Sequence, residues 1–329
     1  MSNKYISVYL DKLSDCAFIF ALGLLLIALT LFSTELIFNR INCFFNKKIN
    51  FISNKDYIDS NLNTTNIFKK SSGKVYNKIF VWSNKTKMLL IYFSIVSMFV
   101  CIVLRGIATF RMPWGNMYEF INLTSFFTMF SASLTLKNLH NNIIWIFIVV
   151  PVILLLIVSK YWLYSTAAPV MPALQSYWLL IHVSIISLSC GLFLTSGISS
   201  ILLILKIYPI KKFKNILVKI INFLPSSKIL DNVSYTTAKL AFIAFSFGIA
   251  FGAIWAEVAW GRYWGWDPKE TMSFVSWIIY AAYLHSRSTI GWQKSKQAWI
   301  NIIGLITILF NLFFINLVIA GLHSYAGIL

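Results

Sequence analysis

Between residues 255 and 270 the chain reads Trp255-Ala-Glu-Val-Ala-Trp260-Gly-Arg-Tyr263-Trp264-Gly-Trp266-Asp267-Pro-Lys-Glu270. Five aromatic residues fall within twelve positions. Rings at this density make a flat apolar surface, and indole faces stack on a large planar ligand such as a porphyrin. Gly261 and Gly265 alternate with the rings and let backbone approach such a ligand closely. Arg262 and Lys269 are cations able to pair with its propionate groups. Asp267-Pro268 ends the segment and opens a helix, because proline is tolerated in a first helical turn. A membrane-interface belt of Trp and Tyr uses the same residue types but needs no such order.

The histidines are His140, His182, His285 and His323. His182 opens one apolar run and His323 closes the last one, which places both at one level beside the aromatic segment. Two imidazoles so placed meet the requirement for axial ligation of haem iron from both sides. Taken singly, each is also compatible with an interfacial histidine bonded to its neighbours. His285 lies thirteen residues into its run, roughly 20 Å deep at about 1.5 Å per residue. An ionisable group at that depth is costly and usually functional, although a side chain beside Arg287 can also snorkel to the far interface. His140, in a short Asn-rich turn, reads as a solvated loop residue. Glu119 and Glu257 read as helix caps or as partners of Arg105, Arg111 or Arg262, without a catalytic role.

The elements that position these residues are membrane helices. The chain is 58% hydrophobic and 12% charged with mean hydropathy +0.75, a balance that excludes an ordinary soluble domain. Its apolar runs are long enough to cross a hydrocarbon core of about 30 Å. Eight spans fit, at about 16–38, 88–104, 118–136, 143–159, 178–205, 239–256, 272–286 and 297–321. Backbone in lipid must bond internally, so the expected fold is an all-α polytopic bundle. Alternate connectors, at 40–87, 137–142, 206–239 and 287–296, hold 21 of the 28 Lys and Arg. The positive-inside rule makes that face cytoplasmic or stromal and puts both termini, and the loop at 255–271, on the periplasmic or lumenal side.

Two units follow: residues 1–87, a first span with a basic loop at 39–87 that reads as loosely ordered, and residues 88–329, a transmembrane unit carrying the platform. The first run lacks a small-residue cleavage site and is kept as a span. A second basic connector, with Lys211, Lys212, Lys214 and Lys219, reads as a short amphipathic helix on the anionic leaflet. The net charge of +18 is spread between apolar runs rather than in one stripe, which excludes nucleic acid as a partner. Cys16, Cys43, Cys101 and Cys190 form no C-x-x-C pair, so neither zinc nor dithiol redox chemistry is implied. Thiol chemistry must come from a partner.

The run Trp260-Gly-Arg-Tyr-Trp-Gly-Trp-Asp-Pro-Lys-Glu-Thr271 is similar to the tryptophan-rich WWD signature of haem-handling proteins, and its Pro-Lys-Glu-Thr ending resembles the CcsA/ResC family of system II c-type cytochrome biogenesis. Asn116-Met-Tyr-Glu119, Ala173-Leu-Gln-Ser-Tyr-Trp-Leu-Leu-Ile-His182, Tyr283-Leu-His-Ser-Arg287 and Gly321-Leu-His-Ser-Tyr325 also resemble that family's segments. The family's Trp after that ending is Met272 here, and its Gly-His-Phe-Pro stretch reads Thr109-Phe-Arg-Met-Pro113.

The resemblance implies a multi-pass protein of a bacterial cytoplasmic or plastid thylakoid membrane that handles haem b. His182 and His323 would be external axial ligands and His285 an intramembrane ligand completed by a partner. Trp255, Trp260, Trp264, Trp266 and Asp267 would form the platform, with Arg262 and Lys269 at the propionates. The implied partners are a Ccs1/ResB-type membrane subunit, an apocytochrome c offering C-x-x-C-H, and an external thiol-reducing pathway. The implied function is the haem attachment step, as a subunit of a cytochrome c synthetase complex. A haem exporter or chaperone that delivers haem without ligating it is the alternative.

Overall fold

The computed structural model describes the backbone of residues 7–55, 62–137, 143–168, 174–208, 221 and 223–322, and the side chains of all of these except 39–83. Eight long helices account for most of it: α1 Val8–Lys55, α2 Leu62–Thr109, α3 Met117–Leu136, α4 Ile144–Trp162, α5 Tyr177–Ile207, α6 Ser227–Trp260, α7 Pro268–Ser288 and α8 Lys294–Phe310. A π turn, Asn311–Ile315, and a last short turn, Asn316–Val318, continue α8. Among the described residues there is no strand.

Six of the eight, α1, α2, α4, α5, α6 and α8, are long and apolar enough to cross a membrane. They carry exposed Phe, Ile, Leu and Val side chains such as Phe20, Phe93, Phe99, Ile243 and Phe247, the outward surface that a lipid solvent favours. Helices α3 and α7 are less apolar for different reasons. Most of α3 is buried by its neighbours, including Thr124, Ser125, Thr128 and Ser131, so it needs no lipid-compatible face. Helix α7 begins at Lys269 and Glu270 and ends at His285 and Arg287, which shortens its apolar stretch. Helix α5 is the axis of the fold: 78% of its most apolar stretch is buried, against 28–50% in the other five spans.

The segment expected as a loosely ordered loop differs from expectation. Helix α1 runs on to Lys55 and α2 starts at Leu62. A membrane span already carries the cost of nucleation, so each added residue costs only propagation, which Asn, Lys and Ser tolerate. Lys87 of α2 pairs with Glu35 of α1 near the base of these extensions. Likewise α6 begins at Ser227, twelve residues before the expected 239. The lysines at 211–219 lie outside the described residues, whereas Lys206 donates to the carbonyls of Ile221 and Leu224 at 2.9 and 3.2 Å.

Candidate functional site

Ser176 caps α5 by accepting from the Trp178 N–H at 3.3 Å, and His182 follows in the second turn. Its Nδ1 lies 2.7 Å from the Gly248 carbonyl of α6. A carbonyl only accepts, so Nδ1 carries the proton and Nε2 keeps its lone pair. The ring is nearly parallel to Trp255, at 6.2 Å and 16°. Gly252 makes the approach possible: a Cβ there would fall 2.6 Å from His182 Cε1. Trp255 is itself buried and meets Trp260 edge-on at 4.8 Å.

Helix α6 ends at Gly261, whose left-handed φ of 71° lets its N–H close on the Glu257 carbonyl at 2.8 Å. In the loop that follows, Trp264 and Trp266 stand perpendicular at 5.7 Å, both edge-on to Phe274 of α7. Glu270 reaches back to accept from the Gly265 and Asp267 N–H groups at 2.8 and 3.2 Å. Between those two anchors Trp266 adopts φ 55°, a left-handed backbone that costs about 1–3 kcal/mol in a non-glycine residue and persists only when its surroundings enforce it. Asp267 Oδ1 accepts the Leu322 N–H at 2.9 Å, which brings the end of the described chain onto this loop.

These elements enclose a cavity of about 210 Å³; one water needs only about 10–15 Å³ on the same measure. His182, Trp255, Tyr263, Trp264 and Lys269 line it from α5, α6, the loop and the first turn of α7. Trp114 and Asn116 line it from the α2–α3 loop, Asn311 from the π turn and Asn316 from the short turn after it. The α2–α3 loop is pinned by Glu119. That carboxylate accepts from Arg105 Nε at 3.2 Å, from Arg111 at 2.8 and 3.1 Å, and from the Gly115 N–H at 2.8 Å. Asn116 caps α3 at the Glu119 N–H. Arg105, buried, also bonds Asp11 of α1 and the Ser165 carbonyl.

At the other end of α7 lies a second polar cluster. Arg287 bonds both oxygens of Asp231 at 2.5 and 3.3 Å and Gln297 at 3.0 Å. One turn deeper, Asn301 Nδ2 reaches the hydroxyls of Ser196, Ser200 and Ser234 at 2.8 Å each. These bonds join α5, α6 and α8 through groups that lipid could not satisfy.

A family model described as "Cytochrome C assembly protein" matches residues 114–323, well over half the chain. The chain belongs to the CcsA family of cytochrome c assembly proteins. The CcsA protein of Prochlorococcus marinus is 40% identical over 186 residues, covering 50% of this chain and 59% of that protein. That of Mesostigma viride is 33% identical over 257 residues, covering 71% and 84%. This chain thus spans little more than half the length of the first relative and most of the second. The fold is similar to a structure named "Cytochrome c Heme Lyase CcmF", with TM-score 0.60 and 13% identity over 95% of this chain and 48% of that one.

Every described residue that lines the cavity, from Trp114 to Asn316, falls inside the stretch that the cytochrome c assembly model matches. Of the residues singled out in the sequence, His182, Trp255, Trp264 and Lys269 come together there. Trp260, Trp266, Arg262 and Asp267 lie outside the lining and act on it indirectly: Trp260 backs Trp255, Asp267 holds Leu322, and exposed Arg262 folds its guanidinium over Gly265. His285 stands apart, in the last turn of α7 and exposed, seventeen residues from Pro268 or about 26 Å along the helix. His323 and His140 lie outside the described residues. Sequence reading passed over Trp114, Asn311, Ser273 and Asn316 as site residues. Neither a lone loop tryptophan nor a single polar residue in an apolar helix carries a local mark of facing a cavity.

Proposed function

We propose that this chain holds haem on the external side of the membrane for its covalent attachment to apocytochrome c. The observation that carries the reading is His182. An imidazole that gives its Nδ1 proton to a backbone carbonyl has its tautomer and ring plane set for iron at Nε2, the outer-shell arrangement that ligating histidines adopt. It does so in the wall of an indole-lined cavity. His323, one residue beyond the Leu322 amide that Asp267 holds, is the proposed second axial ligand.

Haem is the substrate. It enters from the cytoplasmic or stromal side at His285, whose exposed position on α7 suits an iron site completed by a Ccs1/ResB-type subunit. It then reaches the external cavity, where apocytochrome c presents C-x-x-C-H. Each thiol adds across a vinyl group: a C–S bond forms, the proton goes to the neighbouring carbon, and no oxidant is consumed. The chain's part is to bind, orient and ligate, which turns an encounter of three components into a near-intramolecular reaction. The chain holds no C-x-x-C of its own, so reduced thiols must be delivered by an external pathway.

The test is the haem absorbance spectrum of the purified protein with its partner, for wild type, His182→Gly and His323→Gly, with and without imidazole. Both variants are expected to lose or alter the bound haem and to recover with imidazole. Identical spectra in all three proteins, or no haem in any, would refute the reading. Haem handed to apocytochrome without thioether bonds would replace attachment by delivery.

A further inference from the structure

The cavity wall made by Trp114, Gly115 and Asn116 can be accounted for group by group. The Trp114 backbone N–H donates to the Met112 carbonyl at 2.9 Å, and the Gly115 N–H to Glu119 Oε2 at 2.8 Å. Asn116 uses its side-chain oxygen on the Glu119 N–H at 2.9 Å. Only an oxygen can accept there, so the amide orientation is settled and its NH2 is left over. The two Glu119 oxygens are taken by Gly115, Arg105 and Arg111. The Trp114 indole N–H is buried and makes no hydrogen bond. The Trp114 indole N–H and the Asn116 NH2 therefore remain as donors on this wall, while Asn311 Oδ1, elsewhere in the same lining, is a buried acceptor without a hydrogen bond.

An interfacial belt tryptophan directs its N–H to headgroups and water, whereas that of Trp114 is buried away from both. Buried donors are satisfied in nearly all folded proteins, so an orphan in a cavity wall points to a ligand that completes it. Lys269 lines the same cavity and adds a positive charge. An ionised carboxylate is an acceptor only and fits the two neutral donors of this wall and the Lys269 cation, and it would leave Asn311 Oδ1 to another part of the ligand.

We propose that the Trp114–Asn116 wall is a carboxylate-binding subsite that grips the propionate edge of haem. The identity of the ligand rests on the function proposed above; the donor count does not. Arg262, the cation whose residue type and loop position first suggest this role, is exposed and outside the lining. Glu119 prearranges the wall by anchoring both ends of the loop.

The experiment titrates the haem-free full chain in detergent with ferric haem and, separately, with haem dimethyl ester, which cannot ionise at the propionates. Trp114→Phe keeps the flat ring and loses the N–H. Asn116→Asp keeps an oxygen for the α3 cap and replaces the NH2 donors with a negative charge. Trp114→Phe is expected to weaken haem binding about tenfold and Asn116→Asp by at least as much, while the ester binds all three proteins within about threefold of one another. Equal haem binding by wild type and variants overturns the subsite alone. Equal loss of haem and ester overturns it too, because the change is then one of packing. Failure of the wild type to bind either porphyrin overturns the haem reading itself, and the subsite with it.

Discussion

Replacing Gly252 by alanine disturbs the seat of the His182 imidazole, its bond to Gly248 together with its stacking on Trp255. A Cβ at that position would lie 2.6 Å from His182 Cε1 and 2.7 Å from Nδ1. Both distances are inside van der Waals contact, and the α6 backbone cannot yield, so the imidazole must leave its place against Gly248 and Trp255. Two opposing terms act on the ligand-free protein. Alanine is favoured over glycine within a helix by about 0.8–1.0 kcal/mol. The lost hydrogen bond costs about 0.5–1.5 kcal/mol. Ligand-free stability should therefore change by less than about 1 kcal/mol, while loss of the group that orients a ligating imidazole lowers metal affinity by about 10- to 100-fold. Haem titration followed by absorbance reads the second quantity, and thermal melting of the haem-free protein in detergent reads the first. Haem affinity within about threefold of wild type would show that the Gly248 bond does not orient a ligand. A large fall in melting temperature would show that Gly252 serves packing instead.

Gly191 tests the core. A Cβ there would meet the backbone of α3, 2.7 Å from Thr128 N and 2.8 Å from the Phe127 carbonyl carbon, so Gly191→Ala should cost about 1–3 kcal/mol, seen as a lower detergent melting temperature. An unchanged melting temperature would mean that α3 and α5 are not in close register. Glu119→Gln removes the charge facing Arg105 and Arg111. Arg105 keeps Asp11 as a partner, so thermal unfolding should show a loss of about 1–3 kcal/mol from the weakened charged hydrogen bonds; no measurable loss, as for an exposed pair, would mean that the cluster is solvated.

Much of this protein is local in character and was legible in the chain. Hydropathy over some twenty residues marks each helix: every expected span falls largely on one observed helix, with 143–159 starting one residue before α4 and 297–321 running past the last helical residue, Val318, although α3 is covered by its neighbours rather than by lipid. The order of indoles and glycines from Trp255 to Asp267 marked the loop and its family, because it is a specific pattern confined to one short segment. Glu119 was legible as a cap or an arginine partner; it pairs with Arg105 and Arg111, while the side chain that caps α3 is that of Asn116. The helical backbone on either side of 56–61 was not legible, since polar residues continue a helix when a span has already nucleated it.

The tertiary structure decided which of the marked residues face one another. His182 and Gly248 are 66 residues apart, and their bond depends on the axial register of α5 against α6, which is set where Gly248 and Gly252 let the helices and the ring come close. Trp114, Trp255 and Asn311 share a cavity only because α3, α6 and α8 all approach α5 at one end. The removal of Trp266 and Arg262 from the cavity lining follows from a backbone turn that Glu270 holds. Sequence states residue types and their local period, and these determined the helices, the membrane as solvent and the family. Side-chain direction and inter-helix register arise from packing among distant segments, and for that reason the cavity-facing set could be read only from the assembled bundle.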